Sequence, residues 1–190
     1  MNEILKCIKE RRSHRQYLDQ PIQDFDLDMI LEAGLYAPNA GGRQSPVFVV
    51  IQDKELIETL GIENRKAMPS RLGSHVSNEQ PSIIDNPDIK SGFYGASTLI
   101  IFFAPNHYTY MESDCAMSAQ NMMLTAHSLG LGSCYIGRAK ETFESKVGQT
   151  ILSRLNNLDN YLPIGHLIVG YPSGITPHAK ERKSQRIIKL

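Results

Sequence analysis

The densest chemistry in the chain is Arg11-Arg12-Ser13-His14-Arg15. If this run is extended, its side chains alternate, and Arg11, Ser13 and Arg15 project to one side as two guanidinium forks flanking a hydroxyl. Such a group suits a phosphate monoester, because arginine gives its oxygens bidentate, charge-assisted hydrogen bonds. The same run also reads as the solvated basic end of a helix complementing the helix dipole. Spacing alone leaves both readings open. A second candidate is Pro38-Asn39-Ala40-Gly41-Gly42-Arg43-Gln44-Ser45-Pro46. Its small residues let backbone lie against a flat heterocycle while Arg43 and Gln44 bond a polar edge, although a plain tight connection has the same composition. Gly130 to Gly137 poses the same choice. Gly130-Leu131-Gly132 follows a helical pattern and precedes an extended one, the reverse of the order that a Gly-x-Gly-x-x-Gly fingerprint requires, so a Rossmann reading is rejected.

Six histidines, His14, His75, His107, His127, His166 and His178, show no zincin or zinc-finger spacing, and we expect no metal. His127 and His166 read as satisfied core histidines. Cys7, Cys115 and Cys134 form no Cys-x-x-Cys pair, which fits reduced thiols in or near the core. No Gly-x-Ser-x-Gly elbow occurs, and the small and apolar neighbours of Cys134 give no support to a hydrolase.

The elements that must position these residues follow from hydrophobic period and caps. Ile4, Leu5 and Ile8 predict a helix before Arg11; a second, capped by Asp24 or Asp26, carries Leu27, Ile30, Leu31, Gly34 and Leu35 and stops before Pro38, leaving Asn39 to Gly42 as a loop. Val47 to Ile51 and Thr98 to Phe103 read as buried strands. Asp53 caps a short helix through Leu60, and residues 62 to 95 are turn-rich, with Pro69, Gly73, Pro81, Pro87 and Gly92. Glu112 to about Leu129 is a helix apolar on most sides, marked by Ala116, Ala119, Met123 and Ala126, so it belongs at the centre of a domain. Ser133 to Gly137 is short and extended, an amphipathic helix starts near Lys140 with Phe143, Val147 and Ile151, and Ile164 to Tyr171 is a last interior strand. Beyond Pro172 the chain turns basic and ends near Ile187-Ile188.

With 190 residues and no repeat or linker, one domain over 1–190 is expected. The 20 basic and 20 acidic side chains cancel, which removes the global field that would draw a nucleic acid. No apolar run approaches a membrane span and the polar start has no signal-peptide pattern, so a cytoplasmic protein without membrane contact is expected.

Taken in order, these blocks resemble the nitroreductase family. Arg11-Arg12-Ser13-His14-Arg15-Gln16-Tyr17 is similar to its opening Arg-Arg-Ser-x-Arg-x-aromatic block, and Glu32-Ala33-Gly34-Leu35-Tyr36-Ala37-Pro38 to its next. Gly95 to Ile101 resembles the lead into its central strand. Asp114 through Gln120-Asn121-Met122-Met123-Leu124 to His127-Ser128-Leu129-Gly130-Leu131-Gly132-Ser133-Cys134-Tyr135-Ile136-Gly137 is the most specific stretch. His166 to Pro172 and Lys180-Glu181-Arg182-Lys183 complete the likeness, which leaves out about residues 62 to 92.

The resemblance implies an α+β fold, nitroreductase-like, with a mixed, mostly antiparallel sheet flanked by helices in an intertwined homodimer whose core holds the long apolar helix. It implies FMN, its phosphate gripped by Arg11, Ser13 and Arg15, beside Arg12, and by Lys180 and Arg182 from the tail. Pro38, Asn39, Ala40, Gly42 and Gln44 would approach the flavin on one side and Tyr135, Ile136 and Gly137 on the other, each site drawing on two chains. The tail, 173–190, would embrace the partner, since Ile187 and Ile188 need a surface to receive them. Gly42 stands where many members have asparagine, and Ser45-Pro46 where they have Pro-Trp.

The implied activity is ping-pong hydride transfer from NADH or NADPH through FMN to a small oxidant such as a nitroaromatic or a quinone. The cofactor carries the chemistry, so no side chain need be a catalytic acid or base; Arg15 is the candidate cation for the flavin's N1 edge, and Cys134 and His127 are expected to be dispensable. The alternatives are a dehydrogenase, a dehalogenase or a flavin-fragmenting enzyme of the same fold, and an FMN-binding module without turnover. Lys66, Arg71 and His75 could meet a 2′-phosphate but also read as surface charges.

Overall fold

A computed structural model describes residues 2–68, 79–84 and 86–190. Arg71 and His75, with the expected turn residues Pro69 and Gly73, lie outside the described residues. The chain runs α1 (Glu3–Glu10), α2 (Asp24–Leu35), a 3-10 turn (Ala40–Gly42), β1 (Val47–Ile51), α3 (Lys54–Lys66), β2 (Thr98–Pro105), α4 (Met111–Ser128), β3 (Gly132–Ile136), α5 (Ala139–Phe143), α6 (Lys146–Leu152) and β4 (Tyr161–Gly170).

Among the described residues, four strands form one sheet in the order β1-β2-β4-β3, every neighbouring pair antiparallel, and the parallel component is a single isolated bridge between Ser13 and Ser133. Side chains alternate across a strand, and here both faces are covered. Ile100, Phe102, Leu167 and Val169 pack with Ile30 of α2 and Cys115, Ala119, Met122 and Ala126 of α4. Leu99, Ile101, Phe103 and Ile168 pack on the other face with Ile57 and Leu60 of α3, Phe143 of α5 and Ile151 of α6. This double burial explains why β2 and β4 read as continuous apolar runs. The α2–α4 contact is so close that a Cβ on Gly34 would sit 2.1 Å from Met122 Cε.

Several boundaries differ from the sequence expectation. Asp24 and Asp26 fall inside the first turn of α2, whose N-cap is Gln23 with no side-chain bond. Helix α3 does start on Asp53, whose side chain accepts from Leu56 N at 2.8 Å, but it continues past Leu60 to Lys66 because the small and polar Gly61 and Asn64 are buried. Strand β1 is mostly half-buried, as an edge strand with one flank open. The helix expected from Lys140 is two helices, since Ser145 Oγ accepts from Gly148 N and starts α6 afresh. On α4 the buried face is Asp114, Cys115, Ser118, Ala119, Met122 and Ala126, while Met117 is 51% exposed. Its remaining apolar flank faces outward.

Cys115 and Cys134 are buried, Cys7 is half-buried, and all three are free thiols. Among the described residues no helix is long and apolar enough to cross a membrane.

Candidate functional site

The arginine-rich segment is extended, and it is fastened to the sheet on both sides. Ser13 bridges Ser133 on β3, His14 N donates to Ser133 O at 3.0 Å, and Tyr17 bridges Pro172 beyond β4. Alternation then separates its side chains. Arg11, Ser13 and Arg15 all act on the thiol of Cys134, whose pKa is raised by burial and drawn back down by these three groups. His14 turns the other way and is buried against Gly132, its pKa lowered by burial first and then by His127 and Arg11. Arg12 Nη1 donates to Arg11 O at 2.6 Å. Arg11 Nη1 and Arg12 Nε are buried and find no hydrogen-bond partner among the described residues. Burial lowers the pKa of Arg11, so its charge is held where an anion would compensate it.

The end of β3 forms the wall of an adjoining cavity of about 150 Å³, lined by Arg15, Tyr94, Tyr135, Ile136, Gly137 and Arg138 among others. Tyr135 and Arg138 also line a larger groove of about 750 Å³ running along α4. A Cβ on Gly137 would meet nothing within 4 Å, so the backbone there faces open space.

The tail is anchored before it reaches its basic residues. Gln80, 5% exposed, accepts from Arg15 N at 2.7 Å and donates to Ile175 O at 2.7 Å, so one amide ties the arginine segment to the tail. Glu79 accepts from His178 N and pairs with its Nδ1, both at 2.7 Å, and these bonds lower the Glu79 pKa. Lys180 and Arg182 follow, exposed, with the Arg182 guanidinium folded onto Lys180 O. Residues 173–190 form no helix or strand, and Ile187 and Ile188 are 81% and 85% exposed.

The Pro38–Gln44 loop lies elsewhere. It leads into β1, at the opposite edge of the sheet from β3, and three strand spacings amount to roughly 14 Å. Asp114 of α4, 4% exposed, holds it by accepting from Ala40 N at 3.1 Å and Ser45 Oγ at 3.0 Å. Asn39 Oδ1 accepts from Gln44 N at 2.7 Å, and Gly42 has φ +64 with open space around its Cβ position. Within one chain, Pro38, Asn39, Ala40, Gly42 and Gln44 therefore do not join Arg11, Ser13, Arg15, Tyr135, Ile136 and Gly137. Two chains would be needed to bring the edges together.

Histidines depart from the simple expectation. His166 is fully buried and its pKa is lowered to about 4 by desolvation; Nδ1 lies 3.3 Å from Ile136 O while Nε2 has no partner among the described residues. It is a core histidine, only half satisfied. His127 is half-buried at the end of α4, with its pKa lowered by burial. Lys66 pairs with Glu63 at 2.7 Å. No group of three or more His, Cys, Asp or Glu among the described residues could hold a metal.

Sequence reasoning passed over Gln80, Asp114, Asn64 and Arg138. Gln80 and Asn64 sit in or beside the turn-rich region where period and motif gave no signal. Asp114 opens the block that resembles the family's central helix, but in the sequence nothing marks it as the support of the Pro38–Gln44 loop. A buried polar position inside an otherwise apolar face is the one trace it left.

The chain thus combines an α+β fold with a partly buried arginine segment pinned to β3, and its likeness to known proteins extends over nearly its whole length. The model of the nitroreductase family matches residues 8–171, and the chain belongs to that family. The crystal structure of a nitroreductase with bound FMN from Bacteroides fragilis superposes with a TM-score of 0.83 at 29% identity, over 100% of both chains. A protein of Archaeoglobus fulgidus with the provisional name NADH dehydrogenase/NAD(P)H nitroreductase is 28% identical, covering 90% of this chain and 87% of its own. An FMN reductase [NAD(P)H] of Bacillus subtilis is 27% identical over 91% of this chain and 67% of its own length.

Proposed function

We propose that this chain is an FMN-dependent NAD(P)H oxidoreductase that works as a homodimer and passes electrons to a small oxidant such as a nitroaromatic or a quinone. The observation that carries the reading is the orphaned buried donor Arg11 Nη1, on an extended segment that is pinned to β3 and whose Arg15 lines the adjoining cavity. Buried polar groups are almost always paired, so an unpaired guanidinium donor marks a place for an anionic ligand. A phosphate monoester fits it. The FMN bound in the Bacteroides fragilis structure and the FMN in the name of the Bacillus subtilis relative supply the candidate.

Arg11 and Ser13 would hold the phosphate, with Arg12 beside them and Lys180 and Arg182 closing on it from the tail. Tyr135, Ile136 and Gly137 would line one side of the ring system. Pro38, Asn39, Ala40, Gly42 and Gln44 would come from the partner, which is the arrangement that reconciles their place at the far sheet edge with a shared site. FMN, when bound, supplies the electron transfer between nicotinamide and oxidant. Arg15 lines the cavity, and we assign it to the flavin's N1 edge, where a positive charge raises the affinity for electrons. With one cavity serving both, donor and oxidant take turns, giving ping-pong kinetics.

The dimer reading is supported by unpartnered apolar surface. Ile4 is 70% exposed, Leu35 64% and Tyr36 80%, and Ile4, Cys7, Ala33, Tyr36 and Leu124 line a groove of about 450 Å³ between α1, α2 and α4. Contiguous apolar surface of this kind marks an interface. We place the single domain at 1–190, with 173–190 crossing to the partner.

The decisive experiment is an absorption spectrum of the protein saturated with FMN and gel-filtered, before and after anaerobic NADH and NADPH. A retained flavin band that bleaches is expected, and it names the donor. Loss of the flavin on the column would mean that the arginine segment holds something else.

A further inference from the structure

We propose that Asn64 is a positioning residue for the flavin site, fixing the Gly137–Arg138 turn whose cavity-facing side meets the cofactor; this rests on the function proposed above. Asn64 lies on α3 and is 0% exposed. Its Nδ2 donates to Gly137 O and to Thr142 Oγ1, both at 2.9 Å. Its Oδ1 accepts from Arg138 Nη2 at 2.8 Å, and its own carbonyl accepts from Arg138 Nε at 3.3 Å. Thr142 Oγ1 in turn donates to Arg138 O at 2.6 Å. One side chain and its neighbour therefore hold both residues of the turn.

The turn needs holding. Arg138 has φ +62, a left-handed conformation that a residue with a side chain rarely adopts and that persists only where surroundings impose it. Arg138 lines both cavities while its Nε and Nη2 are bonded to Asn64, so Asn64 fixes a residue that borders both. One residue earlier, His166 Nδ1 reaches Ile136 O, so consecutive carbonyls of the wall are taken from inside the protein. Asn64 cannot shift easily: a Cβ on Gly92 would lie 2.4 Å from its Oδ1, which shows how tightly the 91–93 segment closes over it.

Substituting Asn64→Asp keeps the shape and the acceptor for Arg138 but removes both donated bonds, and Thr142→Val removes the neighbouring hydroxyl at little change in volume. We expect N64D to weaken FMN binding about tenfold or more and to shift the visible flavin spectrum and midpoint potential, with T142V moving the same readouts less. Faster amide exchange at residues 137–139 should accompany both. Ile57→Val, on the same helix, serves as the control for general destabilisation and should leave affinity, spectrum and potential unchanged. If N64D and T142V bind FMN with wild-type affinity and potential, the inference is overturned; should N64D not fold, T142V decides alone. A wild-type protein that retains no FMN sinks the proposed function and the flavin role with it, whereas unchanged amide exchange in the variants overturns the hold on the turn itself.

Discussion

The two sheet edges prepare a site in opposite ways. At the β3 edge, backbone bridges fix the arginine segment and leave buried guanidinium donors unspent. At the β1 edge, the Pro38–Gln44 loop is held by its own bonds: Asp114, a buried carboxyl group on α4, accepts from Ala40 N and from Ser45 Oγ just beyond the loop, and Asn39 closes its turn. The first edge is electrostatically poised for a ligand. The second is a rigid shape that presents backbone. A cofactor with an anionic end and a flat end can use both, provided the second comes from another copy of the chain.

Breaking the rigid edge should have the largest effect. Asp114→Ala leaves the buried Ser45 Oγ and the half-buried Ala40 N without their acceptor, and losing both bonds costs about 3 kcal/mol in total. Urea unfolding should show that loss together with loss of bound FMN.

The β3 edge has a titrating support. His166 is held near pKa 4, below its ordinary 6.5, so between those values the unfolded chain binds the extra proton and stability rises with pH. Stability should therefore fall as the pH drops from about 6.5 toward 4, by up to about 3 kcal/mol at the acid end. His166→Phe should flatten that limb of the profile. Hydrogen exchange should locate the acid-sensitive opening at Ile136 and Gly137, sparing Ala40 and Gln44.

Arg11→Ala sharpens the contrast, because it removes an orphan rather than a working bond. FMN affinity, read by fluorescence quenching, should fall about tenfold to a hundredfold, the range of a charge-assisted hydrogen bond. The melting temperature of the flavin-free protein should stay level or rise, since the variant relieves a buried, uncompensated charge. The smallest effect belongs to Cys134→Ala. Burial pushes this thiol up, away from the thiolate, so the variant should keep FMN and turnover and lose only about 1 kcal/mol of packing.

Much of the fold is legible in the chain because the strongest signals are local. β2 and β4 are long apolar runs, α4 is long and apolar, and Asp53 caps a helix by its own side chain. The arginine segment stands out for the same reason, as consecutive residues, while its extended form is decided by the bridges to Ser133 and Pro172. What escaped is held by partners distant in sequence. Gln80 joins Arg15 to Ile175, and Asn64 joins α3 to Gly137, across separations at which neither period nor spacing carries information. The end of α3 was misjudged for a related reason: Asn64 looks like a polar end to an apolar pattern until its partners are known.

The sequence by itself determined the class of fold and the family, and it marked the arginine-serine segment as a candidate grip and the small-residue loop as its candidate companion, because each block is written in neighbouring residues. Tertiary structure alone decided that the grip and the loop stand at opposite edges of one sheet. It also decided that buried amides and one carboxyl group hold them, since strand order and long-range hydrogen bonds arise only when the two faces of the sheet are covered together.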